Sequence, residues 1–168
     1  LKALPGVIER FHDLKYYIVG DGPLRPECEA IVRELGLERS VVFTGEIDEA
    51  SLIMHYRTCE IFVLTSREIR ESGQVEGFGI VFLEAGACGK PVIGTRSGGI
   101  PDAVIDGVTG ILVNESDAAG LAEAMIRLLS DDGLRSRLGA GGKRRAYGDF
   151  SARAFAERLV SVLNAAVK

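Results

Sequence analysis

Cysteine is scarce in this chain of 168 residues, which has only three. Cys28, Cys59 and Cys88 are odd in number and form no Cys-x-x-Cys pair, so the sequence argues against a disulfide framework and a structural zinc site. No run of 18 apolar residues is present, so no segment is predicted to span a bilayer. No basic start followed by an apolar stretch is present, so no secretory signal is predicted. These absences favour a reducing, cytoplasmic location.

Positive charge is also scarce over most of the chain. Residues 1–132 hold 12 Lys and Arg against 22 Asp and Glu, a net charge of −10, whereas residues 133–168 carry +6. Binding of nucleic acid needs clustered positive charge, so no nucleic acid is expected as a partner. The basic segment around Lys143, Arg144 and Arg145 fits either a solvated helix face or an anionic lipid surface. Peripheral association with the inner face of the membrane therefore stays open.

Apolar β-rich runs alternate with helical patterns, as is typical of βαβ units around a parallel sheet. Strands are predicted at 16–20, 41–44, 61–65, 91–94 and 111–113, and helices near 23–36, 48–58, 78–88, 117–130, 131–146 and 151–167. Pro23 is predicted at the first position of its helix, and Gly36 just past the end of that helix. The predicted fold class is α/β, with a doubly wound parallel sheet.

A single domain, residues 1–168, is expected, with residues 131–168 as a C-terminal helical extension. The chain opens on a helical spacing of apolar residues that begins at Leu1 without a capping residue. A doubly wound sheet normally opens with a strand. We therefore expect the chain to be a fragment of a larger enzyme, with the first βα unit missing.

Glycine, by contrast, is abundant, at 21 of 168 residues. Many of these glycines follow predicted strands: Gly20, Gly22, Gly45, Gly77, Gly79, Gly98 and Gly99. Open α/β sheets bind ligands at these strand ends. The G-x-G-x-x-G signature fails at Arg25, and a Walker loop fails because Pro91 follows Lys90. NAD and ATP are therefore poor candidates.

A polar loop running into an apolar helix, residues 67–91, is the most informative segment. Gly77 and Gly79 allow the backbone to approach a ligand, and free N–H groups at the helix start, those of Phe78 and Gly79, attract anions such as phosphate. Glu76 precedes this helix and Glu84 lies inside it. Spacing alone leaves two interpretations open: ligand-binding carboxylates, or a capping Glu76 with a solvated Glu84.

The sequence EGFGIVFLE at residues 76–84, with the residues that follow it to Val92, resembles the E-x7-E motif of retaining glycosyltransferases of family 4. Segments 18–23, 43–45 and 97–102 match the same pattern in the same order, so the resemblance spans about residues 10–115. It implies a Rossmann-like domain, the C-terminal, nucleotide-sugar-binding half of the two-domain GT-B architecture.

The resemblance implies a site for a nucleoside diphosphate sugar. Glu76 would be the catalytic residue at the donor sugar, and Glu84 would hold the ribose hydroxyls. The remaining implied donor contacts are Gly77, Phe78 and Gly79 at the diphosphate, Gly45, Glu46 and Ile47 at the base, and Gly20 and Gly22. The departing diphosphate is stabilised electrostatically, so no metal and no cofactor are expected. The Arg and Lys that neutralise the diphosphate in the family have no counterpart in this chain.

The loop at residues 66–75 is longer than in many members and is similar to that of mannosyltransferases acting on lipid-linked inositol. It favours GDP-mannose over a UDP-sugar as donor. The acceptor would bind to an N-terminal domain that the chain lacks, so the isolated chain is expected to be inactive. Two alternatives stay open: a half-domain of a sugar-nucleotide epimerase with the same architecture, and a non-catalytic binding module.

Overall fold

The computed structural model describes residues 1–68 and 77–166. The elements of these residues are, in chain order, α1 (Leu4–Ile8), β1 (Tyr16–Val19), α2 (Arg25–Glu34), β2 (Val41–Gly45), α3 (Glu49–Thr58), β3 (Phe62–Leu64), α4 (Ile80–Ala87), β4 (Val92–Thr95), α5 (Ile100–Ala103), β5 (Gly110–Val113), α6 (Ala118–Ser130), α7 (Asp132–Tyr147) and α8 (Ala152–Ala166). All the predicted strands are confirmed, each within one residue at either end.

The strands form two parallel pieces rather than one continuous ladder. β1 pairs with β2, and β3, β4 and β5 pair in that order. Every ladder is parallel, as the predicted doubly wound parallel sheet requires. Among the described residues, β1, β2, β3 and β5 each keep one unpaired edge.

Two hydrophobic clusters cover the two faces of the three-stranded piece. Side chains alternate along a strand, so Ile93 faces one cluster and its neighbour Val92 faces the other. The first cluster also contains Val41 of β2 and residues of α1, α2, α6 and α7, so the two sheet pieces share a core. The second cluster is built from α3, α4 and α5. Helices on both faces confirm the doubly wound arrangement.

One face of the β1–β2 pair is open to solvent, although helices normally cover both faces of a parallel sheet. Tyr17, Val19 and Val42 are 50%, 38% and 37% exposed on this face. Helix α3 leaves β2 and packs against α4, and its His55 reaches Tyr17 with a ring-centroid distance of 5.3 Å. An apolar run such as that of β1 therefore does not show whether helices cover one face of its strand or both.

Helix α4 is held by the glycine-rich helix α7. A Cβ on Gly139 would lie 2.0 Å from the carbonyl oxygen of Gly89, and one on Gly142 would lie 3.1 Å from the Cα of Gly86. Glycine lowers helix propensity by about 1 kcal/mol per residue, so α7 owes its helical state to this close packing. The contact fixes the helix that carries the predicted site.

The boundaries of all the predicted helices agree with the structure within two residues, but one residue placement is wrong and one short helix was not predicted. Helix α2 begins at Arg25 with Pro26 in its first turn, so the placement of Pro23 at the first helical position is wrong. The short helix α5 was not among the predicted helices. Gly36 follows the end of α2 with φ +67°, as predicted. Of the described helices, none has the length and apolar character needed to cross a membrane.

Candidate functional site

The first turn of α4 presents its backbone without a capping side chain. Gly79 is the N-cap residue and has φ +77°, a left-handed conformation that glycine adopts without strain. No side chain of the described residues caps this end. The N–H groups of Ile80 and Val81 belong to the first turn and have no partner within the helix. The predicted donors, the N–H groups of Phe78 and Gly79, lie just before the helix, because α4 begins at Ile80. The N–H groups of Ile80 and Val81 are two further donors that could receive an anion.

Gly99 fixes the loop that enters α4. A Cβ placed on Gly99 would lie 1.9 Å from the carbonyl oxygen of Gly77 and 3.3 Å from the Cα of Phe78. Only glycine allows this approach, because any side chain would collide with backbone atoms. The glycine-rich turn after β4 therefore supports the predicted diphosphate loop, residues 77–79.

Glu84 lies in the second turn of α4 and is held by a tyrosine of the neighbouring helix. The hydroxyl of Tyr56 in α3 donates to Oε2 of Glu84 at 2.8 Å. Tyr56 is 6% exposed, whereas Glu84 is exposed. Burial and then the hydrogen bond to Glu84 raise the pKa of Tyr56. The phenol therefore stays protonated and orients the carboxylate, whose other oxygen is free to accept ligand hydroxyls.

The other predicted contacts surround the ends of β1 and β2. The N–H of Gly20 donates to the carbonyl oxygen of Gly45 at 3.0 Å. In the turn that contains Gly22, the N–H of Gly22 and the guanidinium of Arg25 lower the pKa of Asp21. Arg25 also lies 5.5 Å from the centroid of the Phe43 ring.

Beyond β2 the predicted base-edging residues follow in sequence. Glu46 is exposed and Ile47 is half-buried. Asp48 then caps α3, accepting from the N–H of Ser51 at 2.8 Å.

The structure brings the predicted residues together in two groups. Residues 77–79 and Glu84 belong to α4 and its entry loop, while Gly20 and Gly45 join the ends of the β1–β2 pair. Glu76 and most of the long loop, residues 69–76, lie outside the described residues. Across residues 1–68 and 77–166, no group of three or more His, Cys, Asp and Glu side chains could hold a metal ion.

Sequence reasoning missed Tyr56, Phe150 and the supporting role of Gly99. Tyr56 could have been found, since Leu52 and Tyr56 share one face of α3 and a buried phenol needs a hydrogen-bond partner. Phe150 carries no such signal, because its contact with Phe78 joins distant parts of the chain.

A doubly wound α/β domain with glycine-rich turns at its strand ends and an uncapped helix start is typical of the Rossmann-like class of folds. The comparison with known families is more specific. A profile described as "Glycosyl transferases group 1" matches residues 1–145, and the chain belongs to this family.

Among curated proteins, the chain is similar to the GDP-mannose-dependent alpha-(1-6)-phosphatidylinositol monomannoside mannosyltransferase of Mycolicibacterium smegmatis. The two are 35% identical over 98% of this chain and 43% of the relative. The chain thus spans less than half the length of this relative.

Two solved structures show the same fold. Sucrose-phosphate synthase from Thermosynechococcus elongatus is 30% identical with a TM-score of 0.79, over 99% of this chain and 42% of that chain. The C-terminal domain of a group 1 glycosyl transferase from Francisella tularensis is 27% identical with a TM-score of 0.78, over 90% of this chain and 77% of that chain. The predicted α/β class and glycosyltransferase membership are confirmed, and the parallel sheets and helices match GT-B domains.

Proposed function

We propose that this chain is the donor-binding half of a retaining glycosyltransferase that transfers mannose from GDP-mannose. The observation that carries the proposal is the pairing of an uncapped helix start at Gly79 with an exposed carboxylate, Glu84, on the same helix. The first binds an anion and the second binds hydroxyls. A nucleoside diphosphate carries both groups, on its diphosphate and on its ribose.

The diphosphate would lie at the start of α4. The N–H groups of Ile80 and Val81 and the positive end of the helix dipole stabilise negative charge there. They would stabilise the diphosphate further as it leaves the sugar, because the negative charge on it grows in the transition state. The close contact between Gly99 and Gly77 keeps these donors in position before the donor binds.

The ribose would lie one turn further along α4, at Glu84. Tyr56 occupies one carboxylate oxygen, which leaves acceptor positions for two ribose hydroxyls. The base would lie against residues 45–47, beyond the junction of Gly20 and Gly45.

Glu76 precedes the diphosphate loop directly in the sequence, so its carboxylate is proposed to act at the donor sugar. The support for this role, and for retention at the anomeric carbon, is the E-x7-E spacing to Glu84.

Mannose and a lipid acceptor are proposed from the relative named for GDP-mannose and for a phosphatidylinositol monomannoside. Such an acceptor would place the reaction at the cytoplasmic surface of a membrane. Lys143 and Arg144 are exposed on α7 and could contact anionic lipid there. Arg145 is not proposed to contact lipid, because its guanidinium donates to the carbonyl oxygen of Ala103. Membership of a glycosyltransferase family favours a transferase over an epimerase half-domain or a non-catalytic module.

Calorimetric titration of the Glu84→Ala and Tyr56→Phe variants with GDP and with inorganic pyrophosphate tests the ribose site. Hydrogen bonds to a charged group contribute about 1.5–3 kcal/mol each, so loss of the two ribose bonds in Glu84→Ala should weaken GDP by about a hundredfold or more. Tyr56→Phe should weaken GDP by a few-fold, since the carboxylate loses only its orienting partner. Pyrophosphate has no ribose and should bind each variant as it binds the wild type.

The matched control is Glu49→Ala, which removes an exposed carboxylate from the first turn of α3. It should leave both ligands unchanged. Equal weakening of GDP and pyrophosphate by Glu84→Ala would remove Glu84 from the ribose site.

A further inference from the structure

Phe150, in the turn between α7 and α8, lies against the predicted diphosphate loop. Its ring centroid is 5.2 Å from that of Phe78, with the planes tilted by 50°. Phe150 is 72 residues beyond Phe78 in the sequence, so the C-terminal extension packs on the loop that enters α4. Phe78 is the only residue of the loop with a side chain, because Gly77 and Gly79 flank it.

Arg145 holds Phe150 in this position. Its guanidinium carbon lies 5.0 Å from the centroid of the Phe150 ring. The same guanidinium donates to the carbonyl oxygen of Ala103 at 3.1 Å and to that of Asp102, and it pairs with Asp149 at 3.2 Å. The Arg145 side chain is only 17% exposed. One partly buried cation therefore ties the α7–α8 turn to the end of α5.

The end of α5 leads back to the loop. Helix α5 begins at Ile100, directly after Gly99, and Gly99 abuts the carbonyl of Gly77. The loop at residues 77–79 is thus gripped from two sides, by Gly99 and by Phe150. Arg145 connects these two sides, so the contacts form a closed ring of which the loop is one part.

We propose that Phe150 and Arg145 are positioning residues that hold the loop at residues 77–79 in the conformation that binds the donor diphosphate. This inference rests on the proposed function. The loop has two glycines and no capping side chain, so its own sequence restrains it weakly. Contacts from the C-terminal extension supply the restraint, and a loop ordered beforehand binds its ligand without having to be ordered at that moment.

We call the contacts of Phe150 and Arg145 that hold the loop at residues 77–79 the clamp. The variant that tests the clamp is Phe150→Ala, with Phe155→Ala as matched control. Phe155 lies on α8, is 62% exposed and takes no part in the ring of contacts. Phe150→Ala should raise the dissociation constant for inorganic pyrophosphate about tenfold, the effect of ordering one backbone residue on binding. Phe150→Tyr keeps the ring and should bind as the wild type does, and Arg145→Gln should resemble Phe150→Ala.

A measurement without ligand separates the clamp from the proposed function. NMR order parameters of the backbone amides of residues 77–80 should fall from the rigid range near 0.85 towards about 0.6 in Phe150→Ala, and should not change in Phe155→Ala. Unchanged order parameters would overturn the clamp, whatever the ligand does. A mobile loop with unchanged pyrophosphate affinity would overturn the positioning role. Failure of the wild type to bind pyrophosphate or GDP would overturn the proposed function, while the order parameters would still decide whether the clamp exists.

Discussion

Replacing Gly99 with alanine should weaken nucleoside diphosphates and inorganic pyrophosphate by at least about a hundredfold. The new Cβ would lie 1.9 Å from the carbonyl oxygen of Gly77 and 2.8 Å from the carbonyl carbon. Both are backbone atoms, so the loop must move away rather than rotate a side chain. Displacing two N–H donors from the diphosphate removes two charge-assisted hydrogen bonds of about 1.5–3 kcal/mol each. Titration calorimetry with pyrophosphate measures the loss.

Gly6→Ala is the control for this substitution. Gly6 lies in α1 with nothing within 4 Å of its added Cβ, so the same chemical change should leave ligand affinity intact. A thermal melt of each variant shows whether the Gly99 variant has stayed folded. A folded Gly99→Ala protein with normal pyrophosphate affinity would mean that residues 77–79 do not bind the diphosphate.

Substituting Glu76 with glutamine should lower kcat by about a hundredfold or more in an active enzyme that contains this chain. The substitution keeps the shape of the side chain but removes its charge. If the charge acts mainly in the transition state, kcat falls while donor affinity changes little. The expected size is that of losing one electrostatic stabiliser of a transition state, about 10²–10³-fold.

A capping role for Glu76 makes the opposite prediction. Loss of a helix-end charge lowers stability by about 0.3–1 kcal/mol and leaves turnover alone. Steady-state kinetics and a thermal melt of the same variant therefore separate the two. Normal turnover with a lowered melting temperature would contradict the catalytic role.

Much of the fold could be predicted because its parallel strands are short, mainly apolar runs, such as YYIV and GILV, with turn residues at their ends. The division into two sheet pieces could not be predicted, because an apolar run does not show which strand it pairs with. The exposed face at Tyr17 could not be predicted either, because an apolar run does not show whether one or both faces of its strand are covered. Pro23 was misplaced because Pro26 is equally suited to a first helical turn.

In the candidate site, too, local features could be predicted from the sequence and long-range contacts could not. Motif spacing predicted Glu84 and residues 77–79, because these residues are close in sequence and their backbone roles are local. Tyr56, Gly99 and Phe150 act through contacts with residues more than twenty positions away. Such contacts depend on the packing of α3, α5 and α7 against α4, which no local pattern encodes.

Titration of the isotopically labelled chain with GDP-mannose, followed by backbone NMR, tests the central claim most directly. The account predicts saturable shift changes concentrated at the amides of residues 77–81, at Glu84 and at residues 45–47, with millimolar ligand sufficing even for weak binding. Inorganic pyrophosphate should reproduce the changes at residues 77–81 but not those at Glu84. Shift changes confined to other parts of the chain, or none at ten millimolar GDP-mannose, a concentration roughly tenfold above a dissociation constant of ~1 mM, would contradict the account.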